Sequence, residues 1–230
     1  MSVMIAGIAS FIGASAMMIW LADMVCLPNS RDGVWLLLAI LRLGALPGEF
    51  IISIELTRFG AVSGTDWPIT GIAIALAVAM IVVANKLLSG RDDEARSAIS
   101  LAVLLWPPFL ANTVAGYLIT VPVILAPELL SDAPWLLNAT ALTLTAILIP
   151  FFVYAYSRLL LGQPDVARRS ETRSILLVVT GIQVLVCVGI GLLKQAVPFS
   201  FIPGGGMLIV CVTVLLALGH SLRKAPPVAR

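Results

Sequence analysis

Apolar residues run along this chain in long blocks, and short polar interruptions separate them. Seven blocks stand out: Val3–Ala22, Trp35–Thr57, Trp67–Leu88, Ile99–Leu125, Trp135–Leu161, Ile175–Leu193 and Met207–Leu222. About 20 apolar residues carry a helix across roughly 30 Å of hydrocarbon, so each block has about the length a bilayer demands. The pattern predicts an all-α, polytopic transmembrane helix bundle with seven spans. The runs use up almost the whole sequence, so residues 1–230 are expected to form a single integral membrane domain.

Composition agrees with the pattern. The 230 residues are 60% hydrophobic and 11% charged, and the mean hydropathy is +1.07. A soluble globule needs far more charged surface than this. No Lys or Arg precedes the first block, so it lacks the positive flank of a signal peptide and is expected to stay as a helix.

The connectors fix an expected orientation. Arg31, Lys86, Arg91, Arg96, Arg158, Arg168, Arg169, Arg173, Arg223, Lys224 and Arg230 fall on one side of a seven-span chain, eleven of its fourteen basic residues. Arg58 and Lys194 fall on the other side, and Arg42 lies within a span. The positive-inside rule then places the N-terminus outside and the C-terminus in the cytoplasm. A re-entrant second block is the alternative; it gives six spans and a cytoplasmic N-terminus. Short loops fit a bacterial inner membrane.

Polar residues inside the blocks supply the candidate chemistry. The second block holds Arg42, Pro47, Glu49 and Glu55. A charge at the bilayer centre costs about 2.5–3.5 kcal/mol on insertion scales, so such residues default to a functional hypothesis. Arg42, Glu49 and Ser53 share one helix face, predicted to turn into the bundle. On an ideal helix Arg42 and Glu49 are too far apart to touch, so a direct pair is expected only if Pro47-Gly48 breaks the helix. Glu55 and Arg58 form a more ordinary pair near the water interface. Gly44 and Gly48 make a GxxxG spacing, read here as packing within the chain.

The fourth block contains Pro107-Pro108 and Pro122, which predict a kink or break. The carbonyls freed by the double proline invite a ligand or a hydrogen-bonding side chain. Asn112, Thr113, Tyr117 and Thr120 follow as a polar stripe. The fifth block carries Thr140, Thr143, Pro150, Tyr154 and Ser157, and the sixth Thr180, Gln183 and Cys187. Interhelical hydrogen bonding explains the sixth-block stripe. The candidate substrate- or ion-binding set is Arg42, Glu49, Ser53, Asn112, Tyr117 and Tyr154. Residues 194–206 read as a turn. Trp35, Trp67, Trp106 and Trp135 sit at or near block ends and read mainly as interfacial anchors. Trp35-Leu36-Leu37 resembles Trp135-Leu136-Leu137, a weak hint of an inverted repeat.

Other chemistry is sparse. Cys26, Cys187 and Cys211 form no CxxC pair and read as buried free thiols. His220 is the only histidine, so neither bis-His haem ligation nor a His-rich metal site is expected, and no cofactor or metal is assigned. There is no HExxH, GxSxG or P-loop, and no basic-aromatic interleaving for nucleic acid. No catalytic residues are assigned. The partners expected are the lipid bilayer and either another membrane protein or a second copy. Two functional readings lead: a small transporter or channel using the second-block site, and a non-catalytic subunit or assembly factor of a membrane complex. A lipid-modifying membrane enzyme ranks third.

Overall fold

The structure is a computed structural model that describes residues 2–25, 33–89, 94–125, 134–161, 166–197, 199 and 201–224. Among these residues the only regular elements are seven helices: α1 (Ser2–Met24), α2 (Val34–Arg58), α3 (Asp66–Ser89), α4 (Glu94–Leu125), α5 (Pro134–Leu161), α6 (Val166–Ala196) and α7 (Gly205–Lys224). Six are long and apolar enough to cross a membrane. Their spanning stretches are Ala6–Met24, Val34–Arg58, Asp66–Leu88, Leu101–Leu125, Trp135–Leu159 and Arg173–Ala196. This is a multi-pass integral membrane protein. An α-helix satisfies its own backbone, which is what a chain crossing hydrocarbon must do.

Two polar connectors are shorter than the sequence suggests. α4 already begins at Glu94 and α6 at Val166, so the charged segments ahead of their apolar runs are partly helical. The α2–α3 turn shows why a helix stops there. Gly60 takes φ +73°, Ala61 N–H donates to the Leu56 carbonyl and Gly60 N–H to that of Thr57. That double bond pattern is the Schellman close, and glycine enters its left-handed position without a Cβ penalty. Asp66 then accepts the Ser63 amide at 3.1 Å and opens α3. At the other end of α2, a Cβ on Gly33 would lie 1.7 Å from the Val25 carbonyl oxygen, so only glycine fits where α1 meets α2.

The seventh block differs from expectation. α7 is a shorter apolar helix, Gly205–His220 by composition, roughly 24 Å long. It starts inside the bundle. A Cβ on Gly205 would sit 2.3 Å from the Cys187 Cα. Cys187 lies well before the end of α6 at Ala196, about 13 Å along the helix axis. The chain therefore folds back into the bundle after α6, and Val197, Phe199 and Ile202 of this hinge are buried. Irregular backbone at such depth is tolerated where protein encloses it. The segment is more than the surface turn its prolines and glycines imply.

α7 is the hub: it packs against α2, α3, α4 and α6. α4 also packs on α5, and α3 on α6, while α1 touches only α2. One apolar core runs through Ile81, Leu104, Ile149, Val179, Ile190 and Ile209. A second gathers Trp35 and Ala39 of α2, Leu105 of α4, and Val210, Cys211 and Val214 of α7. Trp35 is 1% exposed and meets Trp106 edge-on at 4.9 Å, so it is a core residue and not an interfacial anchor. Trp135, its counterpart in the suggested repeat, is 68% exposed. The resemblance between the two segments does not extend to equivalent surroundings.

The prolines bend expectation too. α2 passes through Pro47, and α4 through Pro107-Pro108, each as one continuous helix. Proline cannot donate to the carbonyl four residues back, so Pro107 and Pro108 withdraw the helical partners of Val103 and Leu104. Gln183 of α6 replaces both: its Nε2 donates to the Val103 carbonyl at 3.1 Å and to the Leu104 carbonyl at 3.1 Å. Gln183 is fully buried. A side chain, not a ligand, answers the double proline.

Candidate functional site

Trp35, Ala39, Arg42, Leu46, Glu49 and Ser53 recur at steps of three and four along α2, and all are buried or half-buried. Such a stripe marks one helix face turned toward neighbours. The two charges therefore occupy inward positions. The Arg42 and Glu49 side chains remain 20% and 25% exposed.

They form a salt bridge, with Arg42 Nη1 donating to Glu49 Oε1 at 2.5 Å. The helix does not break to permit this, contrary to the sequence-based expectation. Seven residues rise about 10.5 Å, a gap that extended Arg and Glu side chains close between them. Glu49 leans naturally toward the N-terminus, whereas Arg42 must extend against the usual lean of helical side chains. Arg42 Nη2 also donates to the Phe201 carbonyl of the hinge at 3.3 Å. One guanidinium thus ties α2 to the irregular segment before α7.

Hydrogen bonds continue along α2. Ser53 Oγ donates to the Glu49 carbonyl at 2.9 Å, and Thr57 Oγ1 to that of Ser53 at 2.9 Å. Trp67 Nε1 of α3 donates to Thr57 Oγ1 at 3.0 Å. Aromatic rings wall this end. Trp67 stacks on Phe201 with centroids 5.8 Å apart, and Phe50 meets Trp67 at 5.4 Å and Phe201 at 5.7 Å. Phe199 lies 4.7 Å from Trp67. Sequence reasoning missed this wall. Phe199 and Phe201 between prolines were the signal, because aromatic residues in a surface turn have nothing to pack on.

The other candidates divide. Asn112 borders the start of α7: its Nδ2 would lie 2.4 Å from a Cβ on Gly206. Its Oδ1 accepts from the Thr145 hydroxyl of α5 at 3.3 Å. Tyr117 is exposed on α4. Tyr154 is exposed on α5, with the Arg158 guanidinium 5.4 Å above its ring. The structure brings neither tyrosine to Arg42. Gly44 and Gly48 also differ from expectation. A Cβ at either would meet nothing within 4 Å, so among the described residues no helix packs on the GxxxG face.

Cys187 and Cys211 are buried free thiols; Cys26 lies outside the described residues. Among the described residues no three His, Cys, Asp or Glu side chains gather to hold a metal ion. No protein-family model matches the chain, no curated protein matches it, and no solved structure matches it.

Proposed function

We propose that this protein is a small membrane transporter or channel whose polar site is the Arg42–Glu49 pair of α2. One observation carries the proposal: the charge pair is completed within the chain, against the buried hinge that precedes α7. Charges awaiting a partner subunit would be left open instead. Interrupted helices beside charged side chains recur at transport sites, because unwound backbone offers groups that a regular helix keeps to itself. The two side chains are half-buried, which keeps them reachable. Ser53 lies one turn beyond Glu49 and donates to its carbonyl, and Asn112 of α4 borders the start of α7.

The accompanying topology has seven passes, counting the hinge with α7 as the last. The N-terminus is outside and the C-terminus is in the cytoplasm of a bacterial inner membrane. The test is a solute screen on purified protein reconstituted in proteoliposomes. Uptake should appear for some solute and vanish in Arg42→Leu. Full uptake by an Arg42→Leu, Glu49→Leu double variant would sink the site.

A second reading is a subunit of a larger membrane complex. The uncovered Gly44–Gly48 face favours it, since small residues at that spacing admit another helix closely. Gentle purification from native membranes with mass spectrometry separates the two. A stoichiometric protein partner supports the subunit, and a chain that emerges alone supports transport.

A further inference from the structure

Resting on the transporter reading, we propose that the ligand of this site is a monocarboxylate with an apolar body, which takes Arg42 in exchange for Glu49. The present occupant of the guanidinium is itself a carboxylate, which meets Nη1 through one oxygen. Arginine holds carboxylates best through two parallel bonds. Glu49 gives one of its oxygens to Arg42 from two turns away along α2. A free carboxylate is not tethered, so it can approach in a better geometry. The exchange replaces one carboxylate by another at the same nitrogen.

Charge narrows the class further. With Arg42 and Glu49 both ionised, a monoanion leaves the site with one net negative charge. A dianion such as phosphate leaves more, and in low-dielectric surroundings that difference is costly. A cation would have to take Glu49 while Arg42, held by the Phe201 carbonyl, stays beside it.

The apolar body follows from the walls. Phe50, Trp67 and Phe201 line the hinge side of the pair. Phe50 is exposed. A polar body would lose its water there and gain no hydrogen bonds in return. A ring or short hydrocarbon chain would lie against these surfaces and gain by burial.

The test is equilibrium dialysis of radiolabelled benzoate against the full chain in phosphatidylcholine nanodiscs, with empty nanodiscs as background. Saturable binding of about one benzoate per chain is expected, with benzylamine failing to compete. Glu49→Gln removes the internal competitor and should tighten binding about tenfold, if Glu49 holds Arg42 in roughly nine molecules of ten. Arg42→Gln should abolish binding. A gain of affinity cannot come from misfolding, so Glu49→Gln keeps the test decisive even if Arg42→Gln folds poorly. Equal or weaker binding in Glu49→Gln, or competition by benzylamine, overturns the proposal. If benzoate does not bind while proteoliposomes take up another solute in an Arg42-dependent way, the ligand class falls and transport stands. If benzoate binds as described but no solute is taken up, the ligand class stands and transport falls.

Discussion

Two helices of this protein carry proline inside an apolar run, and each solves a polar problem differently. In α4 the Pro107-Pro108 pair strips two carbonyls of their donors, and Gln183 reaches across from α6 to cap both. Everything there is buried and neutral. In α2 the polar groups beside Pro47 are charged, half-exposed and joined across two turns. A neutral cap sealed in the core fixes packing. A charged pair left partly open can trade partners. The difference assigns a structural role to the first arrangement and makes the second the place to look for function.

The largest effect is expected at the sealed arrangement. Gln183→Leu leaves the Val103 and Leu104 carbonyls bare and should cost roughly 2–6 kcal/mol, at about 1–3 kcal/mol for each unsatisfied buried group. Thermal unfolding of the purified protein reads this. Restoring the backbone donors by Pro107→Ala and Pro108→Ala in the same chain should recover most of the loss. No recovery would mean that Gln183 acts through packing alone, and the contrast with α2 would lose its basis.

Gly205→Ala probes the depth of the hinge. The new Cβ would lie 2.3 Å from the Cys187 Cα and 2.9 Å from the Val186 carbonyl, both backbone atoms that cannot swing aside. A loss of about 1–3 kcal/mol is expected, as for other overpacked interiors. Gly206→Ala should cost less, because its nearest neighbour is the movable end of Asn112. A harmless Gly205→Ala would place the start of α7 at the rim.

How much of this was legible beforehand depends on the range of the interaction. Six spans follow from composition along the chain, because hydrocarbon thickness sets a length that local sequence must meet. The inward face of α2 was legible as well, since Arg42, Glu49 and Ser53 fall at helical spacing. The direct Arg42–Glu49 bond was not, because spacing gives the rise between two Cα atoms and not the reach of two extended side chains. The Gln183 cap joins residues about 80 apart in sequence, and nothing local announces which helix will face the double proline. Trp35 misled for the same reason: block ends favour anchoring tryptophans, but the partners that bury it, Trp106 and Phe109, come from α4. The hinge looked like a turn because its prolines and glycines report a helix break without reporting its depth.

The open arrangement predicts a smaller stability effect and a larger functional one. Arg42→Leu takes the guanidinium from the Glu49 carboxylate and should cost about 1 kcal/mol, well below the 3–5 kcal/mol of a fully buried pair because both groups are part-exposed. Adding Glu49→Leu should return stability toward the parent value without returning uptake. Thermal unfolding and the proteoliposome assay, run on both variants, check the two halves separately. If the double variant unfolds earlier than Arg42→Leu alone, the pair holds the bundle together and resembles the Gln183 cap after all.

The smallest effect belongs to Gly44 and Gly48. Alanine at either position meets open space. In the isolated chain each substitution should be neutral or stabilising by about 0.5–1 kcal/mol, the ordinary gain of alanine over glycine inside a helix. The informative measurement is made twice, by thermal unfolding of the purified chain and by the mass of the species drawn gently from membranes. Unchanged mass with unchanged or raised stability leaves the glycines as bare backbone on the outward face of α2. Loss of a larger species, with the isolated chain as stable as before, means that another helix lies on this face in the membrane. The outward face of α2 would then be covered as well, and the comparison with the sealed proline pair would have to be drawn again for the assembled protein.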